Sequence, residues 1–172
     1  MNISVRRKVA IMLVMAILTF EVQAQVEKFK AAYIYNFINY VEWPASFTGE
    51  TFVIGVLGST GVNANLQEIS QKKTVRGKQI KIEIYKSFDE IGRCNILYIP
   101  ASGSGKLEQA IATIGSANTL IISEKVGMLK KGSCINFIED SDRLKFEINK
   151  ANLLAKGLKY NPALEKLASN VQ

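Results

Sequence analysis

The chain has 172 residues, 48% of them hydrophobic, and a formal net charge of +7. This length suits one domain with its own hydrophobic core. The sequence contains no histidine, which excludes a Ser-His-Asp triad, a Cys-His pair and an imidazole metal site. We therefore expect a non-enzymatic protein without catalytic, cofactor-binding or metal-binding residues.

The N-terminal segment has the pattern of a secretory signal. Basic residues at positions 6–8 precede an apolar run from Val9 to Phe20, and a small-residue cleavage site that ends at Ala24 follows. We predict that residues 1–24 are a cleaved signal peptide and that residues 25–172 form an exported, periplasmic domain. No later segment has the roughly 20 apolar residues of a membrane-spanning helix. An exported address also argues against a nucleic-acid partner.

An aromatic-rich helix is predicted from Gln25 to Val41, because apolar residues recur there at helical spacing. Pro44 disfavours helical dihedrals at the preceding residue, so the helix should end near Val41 or Glu42. One interpretation is that this helix covers a face of a sheet. The other is that its exit, with Tyr40 and Trp43, forms a docking surface for a partner.

The middle of the chain alternates strand and helix patterns, which predicts mainly parallel strands joined by right-handed crossovers. The alternation of polar and apolar residues in one strand places it near the sheet edge. The predicted strands are Phe52–Leu57, Gln79–Tyr85 (the edge strand), Cys94–Pro100 and Thr119–Ser123, with helices at Val62–Ser70 and Leu107–Ile114.

The C-terminal part differs, because two strand patterns, Cys134–Glu139 and Arg143–Asn149, are separated by only three residues. They should form an antiparallel hairpin. A helical region is predicted from Lys150 to Val171, bent at Gly157 and restarted by Asn161 and Pro162. The predicted fold is a single three-layer α/β domain, with a mainly parallel sheet, a C-terminal antiparallel hairpin and helices on both faces.

Glycine-rich loops follow two of the predicted strands. The loop Ser102–Lys106 has the setting of a P-loop but has Pro100 where the motif needs glycine and Leu107 where it needs a hydroxyl. The glycines of Gly58–Gly61 do not complete a dinucleotide-binding pattern. These loops could still border a crevice at the carboxyl ends of the strands, so a small-ligand-binding module, using Gly58–Gly61 and Ala101–Gly105, is the alternative function.

The last predicted strand carries a second set of candidate contact residues. Its alternation turns Phe146 and Ile148 towards the core and Glu147 outward. Glu147, beside Asn149, could anchor a protein partner or solvate an edge strand. A third option is an envelope protein that binds anionic polymers through the basic run Lys72–Lys78.

Cys94 and Cys134 leave two interpretations open. In an oxidising compartment they could form one disulfide. Each also begins an apolar strand, where a free cysteine can serve as a small hydrophobic residue.

The assembled motifs resemble the YfiR family of periplasmic proteins, over nearly all of residues 25–172. The matching residues are Lys30-Ala31-Ala32-Tyr33-Ile34-Tyr35-Asn36-Phe37, Val41-Glu42-Trp43-Pro44, Leu57-Gly58, Val75-Arg76-Gly77-Lys78 before Ile80, Cys94-Asn95-Ile96-Leu97-Tyr98-Ile99 and Leu144-Lys145-Phe146-Glu147-Ile148-Asn149.

The resemblance implies a regulator that binds the periplasmic part of YfiN, an inner-membrane diguanylate cyclase, and represses cyclic-di-GMP synthesis. It further implies an OmpA-like lipoprotein, YfiB, as a second partner, and a possible homodimer. Members can carry disulfides, but the family's first-strand cysteine would fall within Val53–Val56, where this sequence has none. On this reading the partner-binding residues are Tyr40, Trp43, Glu147 and Asn149.

Overall fold

The computed structural model describes residues 23–45, 49–140 and 143–172. Positions 1–22 of the predicted signal peptide lie outside the described residues. The first described element is helix α1, which occupies residues 23–37. None of the helices in the described ranges is both long and apolar enough to span a bilayer.

Ten strands and five α-helices make up the described fold. The strands are β1 (Val41–Glu42), β2 (Thr51–Leu57), β3 (Thr74–Val75), β4 (Lys78–Tyr85), β5 (Ile96–Ile99), β6 (Leu120–Glu124), β7 (Ile135–Asp140), β8 (Arg143–Ile148), β9 (Lys159–Tyr160) and β10 (Asn170–Val171). The helices after α1 are α2 (Gly61–Lys72), α3 (Leu107–Ile114), α4 (Lys150–Ala155) and α5 (Ala163–Leu167), with short 3-10 turns at Phe88–Glu90, Ala101–Lys106 and Met128–Lys131.

Eight strands form the main sheet, in the order β10-β8-β7-β6-β5-β2-β4-β3. The central run from β4 through β2, β5 and β6 to β7 is parallel, and β7 pairs with β8 antiparallel. This confirms the predicted α/β fold, with its mainly parallel sheet and C-terminal hairpin. β1 and β9 form a separate antiparallel pair.

The core lies on both faces of this sheet. α1 packs its aromatic residues on one face, where the Phe37 ring lies 4.9 Å from Phe146 and 6.0 Å from Phe137, measured between ring centroids. On the same face α2 buries Val62 and Leu66. The crossover helix α3 buries Leu107 and Ala110. Because both faces are covered, β5 and β6 are buried along their whole length, as a parallel sheet requires.

The predicted end of the first helix is wrong, because α1 stops at residue 37 rather than near Val41. A turn follows, in which the Tyr40 N–H donates to the carbonyl of Phe37 at 3.0 Å. Val41 and Glu42 then pair as a strand with the distant residues Tyr160 and Lys159. Strand pairing with Tyr160 and Lys159 therefore replaces the predicted last turn of the helix.

The predicted C-terminal helical region is also interrupted. Only α4 and α5 are helical, and the chain between and after them forms β9 and β10. β10 runs parallel to β8, with Asn170 opposite Glu147. The predicted cap is confirmed in its role, since the Asn161 side chain accepts a hydrogen bond from the Ala163 N–H at 2.9 Å, just before α5.

Candidate functional site

An open crevice of about 1080 Å³ lies at the carboxyl ends of β2, β5 and β6. β4 and β5 pair on opposite sides of β2, so the chain leaves the neighbouring strands β2 and β5 towards opposite sides of the sheet. Such a switch point opens a crevice in parallel α/β sheets. The residues that line it include Ser59, Thr60 and Gly61 after β2 and Pro100, Ala101 and Ser102 after β5. Both glycine-rich loops of the sequence therefore meet here.

A buried ionic cluster forms the floor of the crevice. Lys30, on α1, is only 5% exposed, and Glu124, the last residue of β6, is 9% exposed. The Lys30 ammonium lies 3.0 Å from a Glu124 carboxylate oxygen and 3.1 Å from a carboxylate oxygen of Glu27. The Tyr98 hydroxyl donates to the same Glu124 carboxylate. The cluster thus ties α1 to β5 and β6 at one point.

Glu124 also fixes the loop that follows β5. Its second carboxylate oxygen accepts from the Ala101 N–H at 3.3 Å, and its main-chain carbonyl accepts from the Ser104 hydroxyl at 2.8 Å. A buried carboxylate is tolerated when hydrogen bonds and an opposite charge compensate for its lost hydration. Here both kinds of compensation come from separate elements, so the cluster positions the crevice wall.

The electrostatics of the cluster favour its charged, fully paired form. Burial alone would lower the pKa of Lys30, but the neighbouring Glu124 and Glu27 carboxylates more than offset this and raise the pKa above its ordinary value. Burial, together with the Glu124 charge, also raises the pKa of Tyr98. Lys30 therefore stays protonated and Tyr98 stays neutral, which suits neither for proton transfer at neutral pH.

The cluster also brings α1 against the start of α2. A Cβ placed on Gly61, the first residue of α2, would lie 2.9 Å from the Glu27 Cγ atom. Only glycine allows this approach without displacing α1. Thr60 caps the helix, since its hydroxyl accepts from the Val62 N–H at 3.1 Å. In the described part of the chain, no group of three or more cysteine, aspartate or glutamate side chains is placed to hold a metal ion.

The structure places the predicted contact residues of the first helix in different environments. Tyr40 is half-buried and borders a shallow surface groove with Asn36, Asn39 and Leu167. Trp43 is 9% exposed. Its indole N–H donates to the Asn95 carbonyl at 3.0 Å, and its ring contacts Phe52 edge-on at 5.1 Å. Tyr40 is therefore accessible at the surface, whereas Trp43 is part of the core.

Glu147 and Asn149 make internal hydrogen bonds. Glu147 accepts from the buried Asn136 amide at 2.9 Å and from Asn170 at 3.4 Å. The Asn149 side chain caps α4, accepting from the Asn152 N–H at 3.0 Å. Phe146 faces α1, so its neighbour Glu147 lies on the opposite face of the sheet. The structure does not bring this pair together with Tyr40 into one surface.

The two cysteines are buried free thiols. Burial, with the nearby Glu83 carboxylate, raises the pKa of Cys94 to about 12, and burial raises the pKa of Cys134 to about 11. A Cβ on Gly55 would lie 3.3 Å from the Cys94 sulfur and 2.6 Å from the Tyr85 ring. Gly55 is thus the residue of Val53–Val56 that faces Cys94, and its lack of a side chain lets Tyr85 pack there.

Sequence reasoning missed the ionic cluster. The available signal was a lysine on the apolar stripe of α1, one helical turn before the fully buried Ile34. A second signal was a glutamate at the end of the apolar strand β6. Neither identifies its partner, because Lys30 and Glu124 are far apart in the sequence.

Taken together, these features define a single α/β domain whose mostly parallel sheet carries an open crevice at its carboxyl edge. The protein belongs to the YfiR/HmsC-like family, whose sequence model matches residues 27–169. This confirms the resemblance drawn from the motifs. A comparison with curated protein sequences gives no match.

The comparison with solved structures gives matches at low sequence identity. One is a conserved domain protein from Vibrio cholerae, with 12% identity, a TM-score of 0.58, and coverage of 85% of this chain and 60% of that one. Another is the ABC domain in complex with L-Trp from Streptococcus pneumonia, with 14% identity, a TM-score of 0.49, and coverage of 70% and 55%. The chain spans less than two thirds of either structure.

Proposed function

We propose that the protein is a periplasmic signalling regulator that binds the periplasmic part of an inner-membrane sensor or diguanylate cyclase and represses its output. Membership of the YfiR/HmsC-like family across residues 27–169 is the observation that carries this proposal. Lys30 and Glu124 form an ion pair with each other. Such paired charges support a binding role rather than catalysis. A YfiN-like cyclase is the proposed main partner, with a YfiB-like OmpA-type lipoprotein and a homodimer as further assemblies.

The proposed mechanism is differential binding. A repressor shifts a two-state receptor only by the ratio of its affinities for the two states. Moving a receptor from almost wholly active to almost wholly inactive requires a ratio on the order of 10⁴. The regulator should therefore bind the inactive receptor much more tightly than the active one.

Tyr40 is the best-placed of the predicted contact residues, because it combines an accessible ring with an adjoining groove. Trp43, Glu147 and Asn149 remain proposed contacts, and each would need a local rearrangement to reach a partner. Glu147→Gln is a better probe than Glu147→Lys, since an ammonium would face the Asn136 amide that now donates to the carboxylate.

Deleting the gene and measuring cellular cyclic-di-GMP tests the function. We expect the level to rise, and to fall again when the wild-type protein is restored. Crosslinking in the periplasm should then recover an inner-membrane receptor. Tyr40→Ser should reduce that crosslink. Tyr35→Ser, which changes a half-buried tyrosine on α1, should not. Unchanged cyclic-di-GMP together with no crosslinked receptor would contradict the proposal.

The crevice favours a second candidate function, a small-ligand-binding module. Its volume of about 1080 Å³ and its place at the carboxyl ends of the strands suit a small molecule. A thermal-shift screen of small organic amines and acids tests it, with Glu139→Gln as a variant at the crevice wall. A ligand that raises the melting temperature of the wild type more than that of the variant would support this function.

A further inference from the structure

One edge of the main sheet is only partly covered. β3, the outermost strand, pairs with β4 at just two positions, Thr74 with Gln79 and Val75 with Lys78. The tight turn between them is formed by Arg76 and Gly77, both with positive φ. Beyond Gln79, β4 continues for six residues to Tyr85. In the described ranges, no strand pairs with the outer side of that segment.

The backbone groups on this outer side can be assigned from the hydrogen bonds on the inner side. The Tyr85 carbonyl accepts from the Gly58 N–H at 2.8 Å, so Tyr85 points towards β2. Backbone direction alternates along a strand, so Ile80, Ile82 and Ile84 point their N–H and C=O groups outward. The Thr74–Gln79 pairing sets the Ile80 N–H against the Lys73 carbonyl, and no strand among the described residues pairs with Ile82 or Ile84 on this side. Such a row of free groups is a template for an added strand.

The side chains along the edge suit a protein ligand. Ile84 is 43% exposed, although it lies on the apolar face of β4 that carries the buried Ile80. Lys81 is exposed on the other face, with its ammonium 2.7 Å from a Glu83 carboxylate oxygen. An added strand would cover the Ile84 side chain and would bring its own carboxylate near the Lys81 ammonium, which pairs with Glu83 in the absence of a partner.

The charge around the edge is mainly positive. The basic run Lys72–Lys78 ends α2 and forms the β3 hairpin beside the start of the open segment. Lys86 follows the other end of the open segment. This distribution attracts an acidic ligand and speeds its association.

A second copy of the chain does not fit this edge. A symmetric antiparallel pairing that sets Lys81 opposite Glu83 of the other copy also sets Gln79 opposite Tyr85 of that copy. The space opposite Gln79 is already occupied by Thr74. Pairing shifted by two residues in either direction brings Lys81 against Lys81 or Glu83 against Glu83, which is repulsive. The symmetric antiparallel pairings of a second copy are therefore unfavourable, and the charge around the edge favours an acidic segment of a different protein.

We propose that the open edge, Ile80–Ile84, binds an extended acidic segment of a partner protein as an additional strand of the sheet. Main-chain hydrogen bonds to Ile82 and Ile84 supply affinity, and the basic run selects acidic segments. The open edge does not include Tyr40, Trp43, Glu147 or Asn149, although Trp43 borders Arg76 and Lys78 of the β3 hairpin. It does not depend on the identity of the signalling receptor.

Amide hydrogen exchange, with a short synthetic peptide of alternating glutamate and valine as the probe, tests the proposal. The peptide should slow exchange at the amides of Ile82 and Ile84. The amides of Lys81 and Glu83 face β2 and should be protected with or without it. A peptide with lysine in place of glutamate should bind at least tenfold more weakly. Added salt should weaken the binding of the acidic peptide.

A pair of variants separates edge pairing from non-specific adhesion. Ile84→Lys should reduce peptide affinity by about tenfold, because a charged side chain on an edge opposes strand addition. Leu154→Lys, at an apolar residue of α4 that is 62% exposed, is the matched control and should bind normally. Both melting temperatures should stay near that of the wild type. Equal affinity in the two variants, no protection of the Ile82 and Ile84 amides, or equal binding of the lysine peptide would overturn the proposal.

Discussion

The segment formed by α1 and β1 is attached to the sheet by different interactions at its two ends. In its first half, at the middle of α1, Lys30 is buried between two carboxylates and beside Tyr98. At its end, aromatic rings pack on Phe146, and the turn leads into the β1 strand. The comparison shows that a helix of uniform apolar character in the sequence can be held ionically at one end and by packing at the other.

The two attachments should also differ in how much a substitution destabilises the protein. Removing one partner of a buried ion pair leaves a charge without compensation, which costs more than losing a single hydrogen bond at a packed aromatic ring. The ionic end borders the crevice, while the packed end lies beside the Tyr40 groove. The predictions that follow compare the two ends directly.

The largest effect is expected for Lys30→Met. The Glu27 and Glu124 carboxylates would lose their shared cation, so the free energy of unfolding should fall by about 3–5 kcal/mol. Urea unfolding measures this. Adding Glu124→Gln should restore part of the loss, since it removes a charge that has become unpaired. Lys28→Met, at an exposed neighbour on α1, should have almost no effect, and an equal loss in both lysine variants would refute the ionic attachment.

A smaller effect is expected at the other end for Trp43→Phe. The variant keeps an aromatic ring against Phe52 but loses the donor to the Asn95 carbonyl. The loss should be about 1–2 kcal/mol, combining one hydrogen bond with some packing. Circular dichroism during urea unfolding gives the value. If Trp43→Phe costs as much as Lys30→Met, the proposed difference between the two ends does not exist.

The pH dependence of stability should distinguish the ends further. The pKa of Lys30 is raised in the folded protein above its ordinary value of 10.5, so its stabilisation is complete below pH 10.5 and is lost as the pH rises beyond it. The stability gap between wild type and Lys30→Met should therefore narrow in that alkaline range. The gap between wild type and Trp43→Phe should not narrow, and thermal melts across the range would show whether it does.

The smallest effect is expected for Tyr40→Ser. The ring is half-buried, with one side on the groove and the other against the core, so the free energy of unfolding should change by about 1 kcal/mol. Differential scanning calorimetry resolves such a change as a small shift in melting temperature. A loss above that of Trp43→Phe would mean that Tyr40 is a core residue, and would remove it from the proposed contact surface.

The sheet could be predicted because its strands carry long apolar runs. β2, β5 and β6 each show a continuous buried pattern, and the alternation in β4 correctly indicated a position near the edge. The strands β1, β9 and β10 have two residues each, too few to show any periodicity. Their formation depends on distant pairings, which is why the first helix was extended too far and the C-terminal region was predicted as helix.

The site was less predictable than the fold. The loops at Gly58–Gly61 and Ala101–Gly105 were correctly associated with a crevice, because parallel strands place their carboxyl ends at one edge. The burial of Trp43 depends on where β1 turns the chain, and the roles of Lys30 and Glu124 depend on a contact between remote segments. Sequence patterns show local periodicity, and they do not show which residues from remote segments come into contact.

The pairing of β1 with β9 has a consequence for how the molecule assembles. Val41 and Glu42 form their strand only when Tyr160 and Lys159, near the other end of the chain, are available. Contacts over such sequence separation form late in folding because they close long loops. In a chain truncated before β9, Val41 and Glu42 would have no strand partner, so the position of the segment after α1 depends on residues near the other end of the chain.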